Sequence, residues 1–204
     1  MFEGQVSQPV HSPMAYSWCN KPLLDTLSVE GADNVLNFSS PREEAQVFLD
    51  GDHIGRVIFS LDGKEIAEIA RSQAHAIVVG EGNAQRDVDH YLLPGGPAPT
   101  MRLGITRHRG LGTWSSLPHD FELNTEAGFE EVFFYIASGA TARGIQVGRG
   151  VWHDNRPVDS VWPFADRQFG TVPMGYHPVV GEPGVQISYV WVYLAKFPRW
   201  EKVK

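Results

Sequence analysis

Two Asp-Gly pairs limit what this chain can fold into more than any other feature of its sequence. Asp50-Gly51 and Asp62-Gly63 stand twelve residues apart and enclose HIGRVIFSL, a segment rich in β-branched and aromatic residues. Asp-Gly is a preferred dipeptide in the two-residue turns of β-hairpins. Apolar segments between such turns are typical of strands. The pattern therefore predicts consecutive antiparallel strands joined by tight turns.

The same pattern continues along the chain and predicts an all-β fold. AHAIVVGEGN is a predicted strand that runs into a Gly-rich turn, and EEVFFYIAS, RGIQVGRGVWH, QFGTVP and VQISYVWVYLA are further strand-like segments. Many short strands separated by turn residues favour a β-sandwich or barrel. Two stretches also suit helices, residues 40–47, where Pro41 would begin the first turn, and residues 63–70, whose charges equally suit a strand face.

A Pro- and Gly-rich connector, DHYLLPGGPAP, divides the chain into two predicted halves. We expect an N-terminal arm over residues 1–24, an N-terminal half over residues 25–97 and a C-terminal half over residues 98–204. A chain of 204 residues is long enough for one large domain or two small, associated ones. We find no sequence repeat, so any similarity between the halves would be structural.

Charge and cysteine content argue against several classes of function. The formal net charge is −7 with scattered Lys and Arg, which disfavours binding to nucleic-acid phosphates. The longest apolar runs are far shorter than the ~20 residues of a membrane helix. Cys19 is the only cysteine, and the N-terminal residues lack the pattern of a secretory signal. We therefore expect a cytoplasmic protein with neither nucleic acid nor membrane as a partner.

Three residues of the C-terminal half have the chemistry of metal ligands: His119, Glu131 and His177. Imidazole and carboxylate groups suit Zn, Mn, Fe or Ni, and three such ligands leave coordination positions open for substrate or water. Glu131 shares one face of its strand-like segment with Phe133 and Tyr135, as expected for a pocket wall. His177 lies in VPMGYHP, where Pro and Gly residues fix the turn. Each residue alone is equally at home in a core or on a surface.

The order of motifs resembles that of the KduI/IolB family, which contains 5-deoxy-glucuronate isomerases and 5-keto-4-deoxyuronate isomerases. WSSLPHDFE, EEVFFY, GIQVGRGVWHDN, VPMGYHP and YVWVYLA carry the resemblance over residues 100–197, and the N-terminal half shares only the general β character. The resemblance implies two double-stranded β-helix (cupin) barrels in tandem, a bicupin, with a divalent metal in the C-terminal barrel only. It also implies a sugar-acid substrate and aldose–ketose isomerisation.

The sequence departs from the family pattern at one ligand. The family has a His-x-His unit after Trp-Ser-Ser, whereas here His119 is followed two positions later by Phe121. Either Phe121 replaces the second histidine, or a deletion has removed the first and His119 takes the second position. Asp120 or a water then completes the ligand shell, or the site no longer holds metal tightly.

Four other residues are candidates for substrate binding. Gln146 corresponds to a glutamine of the resembled family, and Tyr135 can hydrogen-bond sugar hydroxyls. Arg107 and Arg149 can pair with a substrate carboxylate in bidentate fashion. The competing interpretation for the tyrosine is a packed core residue, and for each arginine it is a solvated surface residue.

His153, Asp120 and Tyr176 are the candidates for the catalytic base. The incomplete ligand set of His119, Glu131 and His177 also suits two other functions. One is a non-haem-iron oxygenase with two histidines and one carboxylate, and the other is a non-catalytic sugar-binding cupin that has lost a ligand. We expect a homodimer, because a second subunit often covers the free edges of β-sheets.

Overall fold

A computed structural model describes residues 16–112, 114–115 and 130–195. Within these ranges the chain forms fifteen strands and two single-turn 3-10 helices, so the all-β prediction is confirmed. None of the described residues belongs to a helix that is long and apolar enough to cross a membrane. In chain order the strands are β1 Ser28–Ala32, β2 Val35–Ser39, β3 Glu43–Asp50, β4 His53–Leu61, β5 Lys64–Ala70, β6 His75–Val79, β7 Arg86–Leu92, β8 Met101–His108, β9 Glu131–Gly139, β10 Arg143–Val151, β11 Pro157–Ala165, β12 Phe169–Val172, β13 Met174–Tyr176, β14 Val179–Gly181 and β15 Val185–Leu194.

These strands form three antiparallel sheets. The first is a five-stranded sheet in the order β1-β2-β3-β4-β5. The second is a six-stranded sheet in the order β12-β9-β15-β8-β7-β6. In the third, a four-stranded sheet, β10 pairs with β11 and also with the two short strands β13 and β14.

Both predicted hairpins are present, but only Asp62-Gly63 itself forms the two-residue loop, between β4 and β5. In the first hairpin Asp50 is the last residue of β3 and pairs with His53, so the loop to β4 is Gly51-Asp52. Asp62 and Gly63 both have positive φ values, 51° and 76°. Two positive φ values in a two-residue loop match the turn that follows the natural twist of a hairpin. The local dipeptides thus determine where this sheet turns.

The two stretches that suited helices are strands, so the helix interpretation is wrong for both. Residues 43–50 form β3 and residues 64–70 form β5. In β3 the side chains of Glu43, Ala45 and Val47 are buried and their neighbours are more exposed. This period of two belongs to a strand with one face on a core. Pro41 precedes β3 and begins no helix.

The six-stranded sheet separates two hydrophobic cores. One core joins it to the five-stranded sheet and contains Phe38, Phe59 and Phe134. The other joins it to the four-stranded sheet and contains Tyr135 and Phe164. Because side chains alternate along a strand, β9 supplies Phe134 to one core and Tyr135 to the other. The central sheet is therefore covered on both faces.

Hydrogen bonding continues across the predicted boundary between residues 97 and 98. β7 lies before that point and β8 after it, and the two strands pair from Arg86 to Leu92. β6 and β7 therefore share a sheet with the C-terminal strands, while β1 to β5 form a sheet of their own. The division into halves at this point stays a prediction.

A buried carboxylate fastens the five-stranded sheet to the start of β8. Glu43 is only 4% exposed. Its side chain accepts hydrogen bonds from the backbone N–H groups of Thr100, at 2.9 Å, and Met101, at 3.1 Å. The hydroxyl of Thr100 donates a further bond. Hydrogen bonds to a charged acceptor are stronger than neutral ones, so Glu43 is a major link between the two sheets.

Replacing Glu43 should therefore destabilise the fold strongly. We expect Glu43→Ala to lower the free energy of unfolding by roughly 2–4 kcal/mol, because the buried donors of Thr100 and Met101 lose their acceptor. Urea denaturation followed by circular dichroism measures the change. The neighbouring Glu44 is exposed, and Glu44→Ala should change the same quantity by less than about 0.5 kcal/mol. Equal effects of the two variants would contradict the role of Glu43.

Candidate functional site

The structure brings Glu131 and His177 together in the core beneath the four-stranded sheet. Glu131 begins β9, and His177 follows β13. The Oε2 atom of Glu131 lies 3.6 Å from the Nε2 atom of His177. Nδ1 of His177 lies 3.1 Å from the carbonyl oxygen of Pro173, which can only accept a hydrogen bond. Nδ1 therefore carries a proton, and in the neutral form of the ring the lone pair is on Nε2, the nitrogen beside Glu131.

Burial of the Glu131 carboxylate without a cation is unfavourable in free energy. Burial raises the pKa of Glu131 well above the ordinary value of a glutamate. Its Oε2 atom has no hydrogen-bond partner among the described residues. A buried carboxylate oxygen that lacks a partner carries a large desolvation cost. An imidazole nitrogen and a buried carboxylate oxygen 3.6 Å apart suit the coordination of a divalent metal ion.

Gln146 holds the turn that carries His177. Gln146 is fully buried, and its amide nitrogen donates to the carbonyl oxygens of His177, at 2.8 Å, and Pro178, at 3.2 Å. It also contacts the carbonyl of Val147 at 2.9 Å. The hydroxyl of Tyr135 donates to Oε1 of Gln146 at 2.8 Å. The structure thus brings together two predicted substrate-binding residues, but their polar atoms support the turn of a candidate ligand.

Aromatic side chains pack beside Glu131 and His177. Two polar residues in this wall, Ser115 and Tyr189, were not predicted from the sequence. Phe133 packs edge-on against the ring of His177, with 5.9 Å between centroids, and stacks on Tyr189 at 4.6 Å. The hydroxyls of Tyr189 and Ser115 are 3.3 Å apart. Ser115 lies in the Trp-Ser-Ser stretch, which was a signal for its position. The alternation of aromatic residues in β15 was the signal for Tyr189.

The two predicted substrate-binding arginines lie away from Glu131 and His177. Arg149 is exposed and pairs with Asp159 at 3.3 Å. Arg107 pairs with Asp89 at 3.3 Å and contacts His53 of β4. It therefore projects toward the five-stranded sheet, whereas Glu131 is on the opposite face of the six-stranded sheet. Both arginines lie on strand faces that are directed away from Glu131 and His177.

Two of the three candidates for the catalytic base, Tyr176 and His153, lie in the described part of the chain. The hydroxyl of Tyr176 accepts a hydrogen bond from the indole N–H of Trp114 at 3.3 Å. The side chain of His153 is 8% exposed, and its Nε2 atom lies 3.2 Å from Oδ2 of Asp25. Residues 116–129 are outside the described part of the chain, so His119, Asp120 and Phe121 have no structural account.

Asp25, Glu130 and His153 form a second cluster of possible ligands, with one ligand atom of each lying within 4.8 Å of the others. The carboxylate of Glu130, however, already accepts from the backbone N–H groups of Asp25 (3.2 Å), Thr26 (3.0 Å) and Leu27 (2.7 Å). The hydroxyl of Thr26 donates to it as well, at 3.1 Å. These donors use the lone pairs that a metal would need. Glu130 therefore anchors residues 25–27, and the pair of Glu131 and His177 is the better candidate site.

A family comparison decides where this arrangement belongs. The model of the KduI/IolB family matches residues 60–204, which is more than half of the chain. The chain belongs to the KduI/IolB family. The matched range contains every strand from β6 to β15 and both residues of the Glu131 and His177 pair.

Two curated relatives of this KduI/IolB protein are similar in sequence. It is 30% identical over 137 residues to the 5-deoxy-glucuronate isomerase of Geobacillus kaustophilus (strain HTA426), covering 65% of this chain and 48% of that protein. It is 30% identical over 126 residues to the protein of the same name from Geobacillus thermodenitrificans (strain NG80-2), covering 60% of this chain and 44% of that protein. The chain spans about half the length of the curated relatives it matches.

The fold also matches a solved structure. An IolB-like protein from Salmonella typhimurium LT2 superposes with a TM-score of 0.54 at 19% identity, covering 93% of this chain and 78% of that one. Agreement over nearly the whole chain supports a shared architecture rather than one shared sheet. The cupin fold that the motif order implied is confirmed.

A double-mutant cycle tests whether Gln146 and Tyr135 act together on the His177 turn. We expect Gln146→Leu to lower the free energy of unfolding by about 1–3 kcal/mol, because buried carbonyls of the turn lose their donor. Tyr135→Phe should cost about 1 kcal/mol, and the double variant less than the sum because the two share a hydrogen bond. Gln46 makes one hydrogen bond at the sheet surface, so Gln46→Leu should cost less than about 1 kcal/mol. Strict additivity would contradict the coupling.

A buried histidine on the same side of the central sheet should make stability depend on pH. His108 is 3% exposed, and its ring packs edge-on against Tyr189 with 6.0 Å between centroids. Burial, helped by the positive charge of Arg86, lowers the pKa of His108 to about 4. Histidine in an unfolded chain has a pKa of about 6.5. The unfolded chain therefore takes up this proton first as the pH falls.

His108 should contribute its full stabilisation above pH ~6.5 and lose it progressively as the pH falls toward ~4. Urea denaturation at a series of pH values between these limits measures the slope of stability against pH. His108→Gln should flatten this slope even if it lowers stability at every pH. An unaltered slope in His108→Gln would show that another group is responsible.

Proposed function

We propose that this protein is a metal-dependent sugar-acid isomerase that converts a uronate-type aldose, such as 5-deoxy-glucuronate, to the ketose. The buried pair of Glu131 and His177 carries the proposal, because the oriented imidazole and a carboxylate oxygen with no hydrogen-bond donor among the described residues suit a catalytic metal. The proposal is supported by the family to which the chain belongs and by the names of its relatives. On this proposal the partner is a small molecule. A cytoplasmic location stays a prediction.

Glu131 and His177 would hold the divalent ion, and His119 is the predicted third ligand. A bound Zn, Mn, Fe or Ni ion would polarise the carbonyl and the adjacent hydroxyl of a sugar. Glu131 supplies the anionic oxygen for this site, and His177 supplies a neutral nitrogen whose direction the Pro173 carbonyl fixes. Gln146 keeps the backbone of this turn in place. These residues thus form a prepared cation site rather than an ordinary packed core.

The isomerisation also needs groups that handle protons and hydroxyls. One titratable residue must move a proton between adjacent carbons, and His153, Asp120 and Tyr176 stay the predicted candidates. Tyr189 lies on the same face of the central sheet as Glu131. Burial raises the pKa of Tyr189 above that of an exposed tyrosine, so its hydroxyl stays protonated. Tyr189 is therefore suited to donate a hydrogen bond to a sugar oxygen, and not to act as the base.

Metal content and turnover of matched variants test the proposal. The purified chain, loaded with Zn, Mn, Fe or Ni in turn, should bind about one ion and isomerise 5-deoxy-glucuronate, as followed by NMR. His177→Ala should weaken metal binding by more than ~10-fold and reduce kcat/KM by at least ~100-fold, because even residues behind a ligand account for 10–100-fold effects. His75→Ala, which removes an exposed imidazole on β6, should alter neither quantity.

Other outcomes would select a different function. Metal content that His177→Ala leaves unchanged would contradict the proposed site. Oxygen consumption with Fe(II) and no isomerisation would identify a non-haem-iron oxygenase. Sugar-acid binding without metal or turnover would identify a non-catalytic binding cupin.

A further inference from the structure

A group of polar side chains lies between the five-stranded and six-stranded sheets, on the face of the central sheet away from Glu131. Arg107 of β8 is its centre. Nη2 of Arg107 lies 3.3 Å from Oδ2 of Asp89, and no other described carboxylate pairs with this guanidinium. Asp87, the other aspartate of β7, pairs with Arg109 at 2.7 Å. The buried Nε atom of Arg107 has no hydrogen-bond partner among the described residues. Arg107 therefore keeps a donor that this part of the protein does not satisfy.

His53, at the start of β4, lies between two arginines. Its Nε2 atom lies 3.1 Å from Nη2 of Arg71, in the connection between β5 and β6. Nη1 of Arg107 contacts Nδ1 of His53 and lies 3.1 Å from Nε2. Burial and the charge of Arg107 lower the pKa of His53, so its ring is neutral at pH 7. A neutral imidazole has one N–H and only one accepting nitrogen. One of the two guanidinium groups therefore lacks an acceptor on this ring.

Ser188 supplies a further unsatisfied donor beside Arg107. The two residues are directly opposite each other in the pairing of β15 with β8. Side chains in such positions project from the same face of the sheet, with Cβ atoms about 5 Å apart. Ser188 is completely buried, and its hydroxyl has no hydrogen-bond partner among the described residues. Burial of polar groups without partners is unfavourable, and here two such groups are neighbours.

The cluster is open to solvent at the end where His53 and Arg71 lie. The side chain of His53 is 25% exposed and that of Arg107 is 15% exposed, and Arg71 is exposed. Ser188 lies at the buried end. A small molecule can therefore enter past the two arginines and reach the serine hydroxyl.

The charges of the cluster indicate which ligand it suits. Asp52 lies 3.4 Å from Nε2 of His53, and together with Asp89 it balances the charges of the two arginines. A dianion such as phosphate is therefore repelled by two nearby aspartates. A carboxylate carries a single charge and accepts two parallel hydrogen bonds from a guanidinium. A metal ion offers no acceptor to groups that donate. The cluster thus fits a carboxylate better than a phosphate or a cation.

We propose that Arg107, Ser188 and His53 form a second binding site, which takes a small molecule through a single carboxylate group. The carboxylate accepts from Nε of Arg107 and from the hydroxyl of Ser188, the two neighbouring groups that lack partners among the described residues. It also accepts from the guanidinium that His53 leaves without an acceptor. The site does not depend on the metal or on isomerase activity, because Glu131 and His177 lie on the opposite face of the central sheet.

An NMR titration of the full ¹⁵N-labelled chain with sodium acetate, at constant ionic strength, tests this site. The Nε–H resonance of Arg107, assigned by its absence from the spectrum of Arg107→Lys, should shift and reach saturation. Ser188→Ala should raise the acetate dissociation constant by ~3–10-fold, because one hydrogen bond to the carboxylate is lost. Ser160 is exposed on β11, and Ser160→Ala should leave the constant unchanged.

A second variant keeps the test independent of Ser188. In Arg107→Lys the ring resonances of His53 follow the titration, and the dissociation constant should rise at least ~10-fold because lysine makes no bidentate pair. Arg149 is exposed and pairs with Asp159, so Arg149→Lys is the matched control and should change nothing.

Three results would overturn the proposal. The first is an Arg107 Nε–H resonance that acetate does not shift to saturation, which would assign the unsatisfied donors to water. The second is an unchanged dissociation constant in Ser188→Ala or Arg107→Lys when circular dichroism shows that the variant is folded. The third is tighter binding of inorganic phosphate than of acetate, which would contradict a site for a singly charged carboxylate.

Discussion

The arrangement of this protein depends on a central sheet that is buried on both faces. β9 has seven consecutive buried residues, and β15 is buried along nearly its whole length. Both faces of such a strand contact other apolar side chains. Its residues therefore do not alternate between apolar and polar, and nearly every position is apolar. A polar residue in such a strand therefore requires a partner or a ligand. Glu131 at the start of β9 is conspicuous for this reason.

Two neighbouring glutamates show how the same side chain takes opposite roles. Glu130 accepts three backbone N–H groups and one hydroxyl, so its charge is fully solvated by the protein. Glu131 points to the other side of the chain, where the described residues offer its Oε2 atom no donor. Successive side chains point to opposite sides of the chain, and this alternation separates the structural carboxylate of Glu130 from the candidate ligand Glu131. Glu43 belongs to the first kind, because it also accepts backbone N–H groups.

Sequence reasoning succeeded where the determining interactions are local. The Asp-Gly hairpin signals and the strand periodicity are encoded within a few residues, and they correctly indicated the hairpins. His177 and Glu131 lie close together, but their role as metal ligands stays a prediction. The substrate residues were harder because their roles depend on distant partners. Gln146 donates to a carbonyl 31 positions away. Arg107 points to the core that lies away from Glu131, and the layering of the sheets, which no short pattern encodes, decides this.

The anchor of residues 25–27 on Glu130 has a consequence for dividing the protein into fragments. A fragment that begins at residue 98 would lack the backbone N–H groups that solvate Glu130. It would also lack β6 and β7, which complete the central sheet. The bare carboxylate would then lie one peptide bond from Glu131. The N-terminal segment is thus part of the electrostatic environment of the site, and shortening the chain from that end would alter chemistry as well as stability.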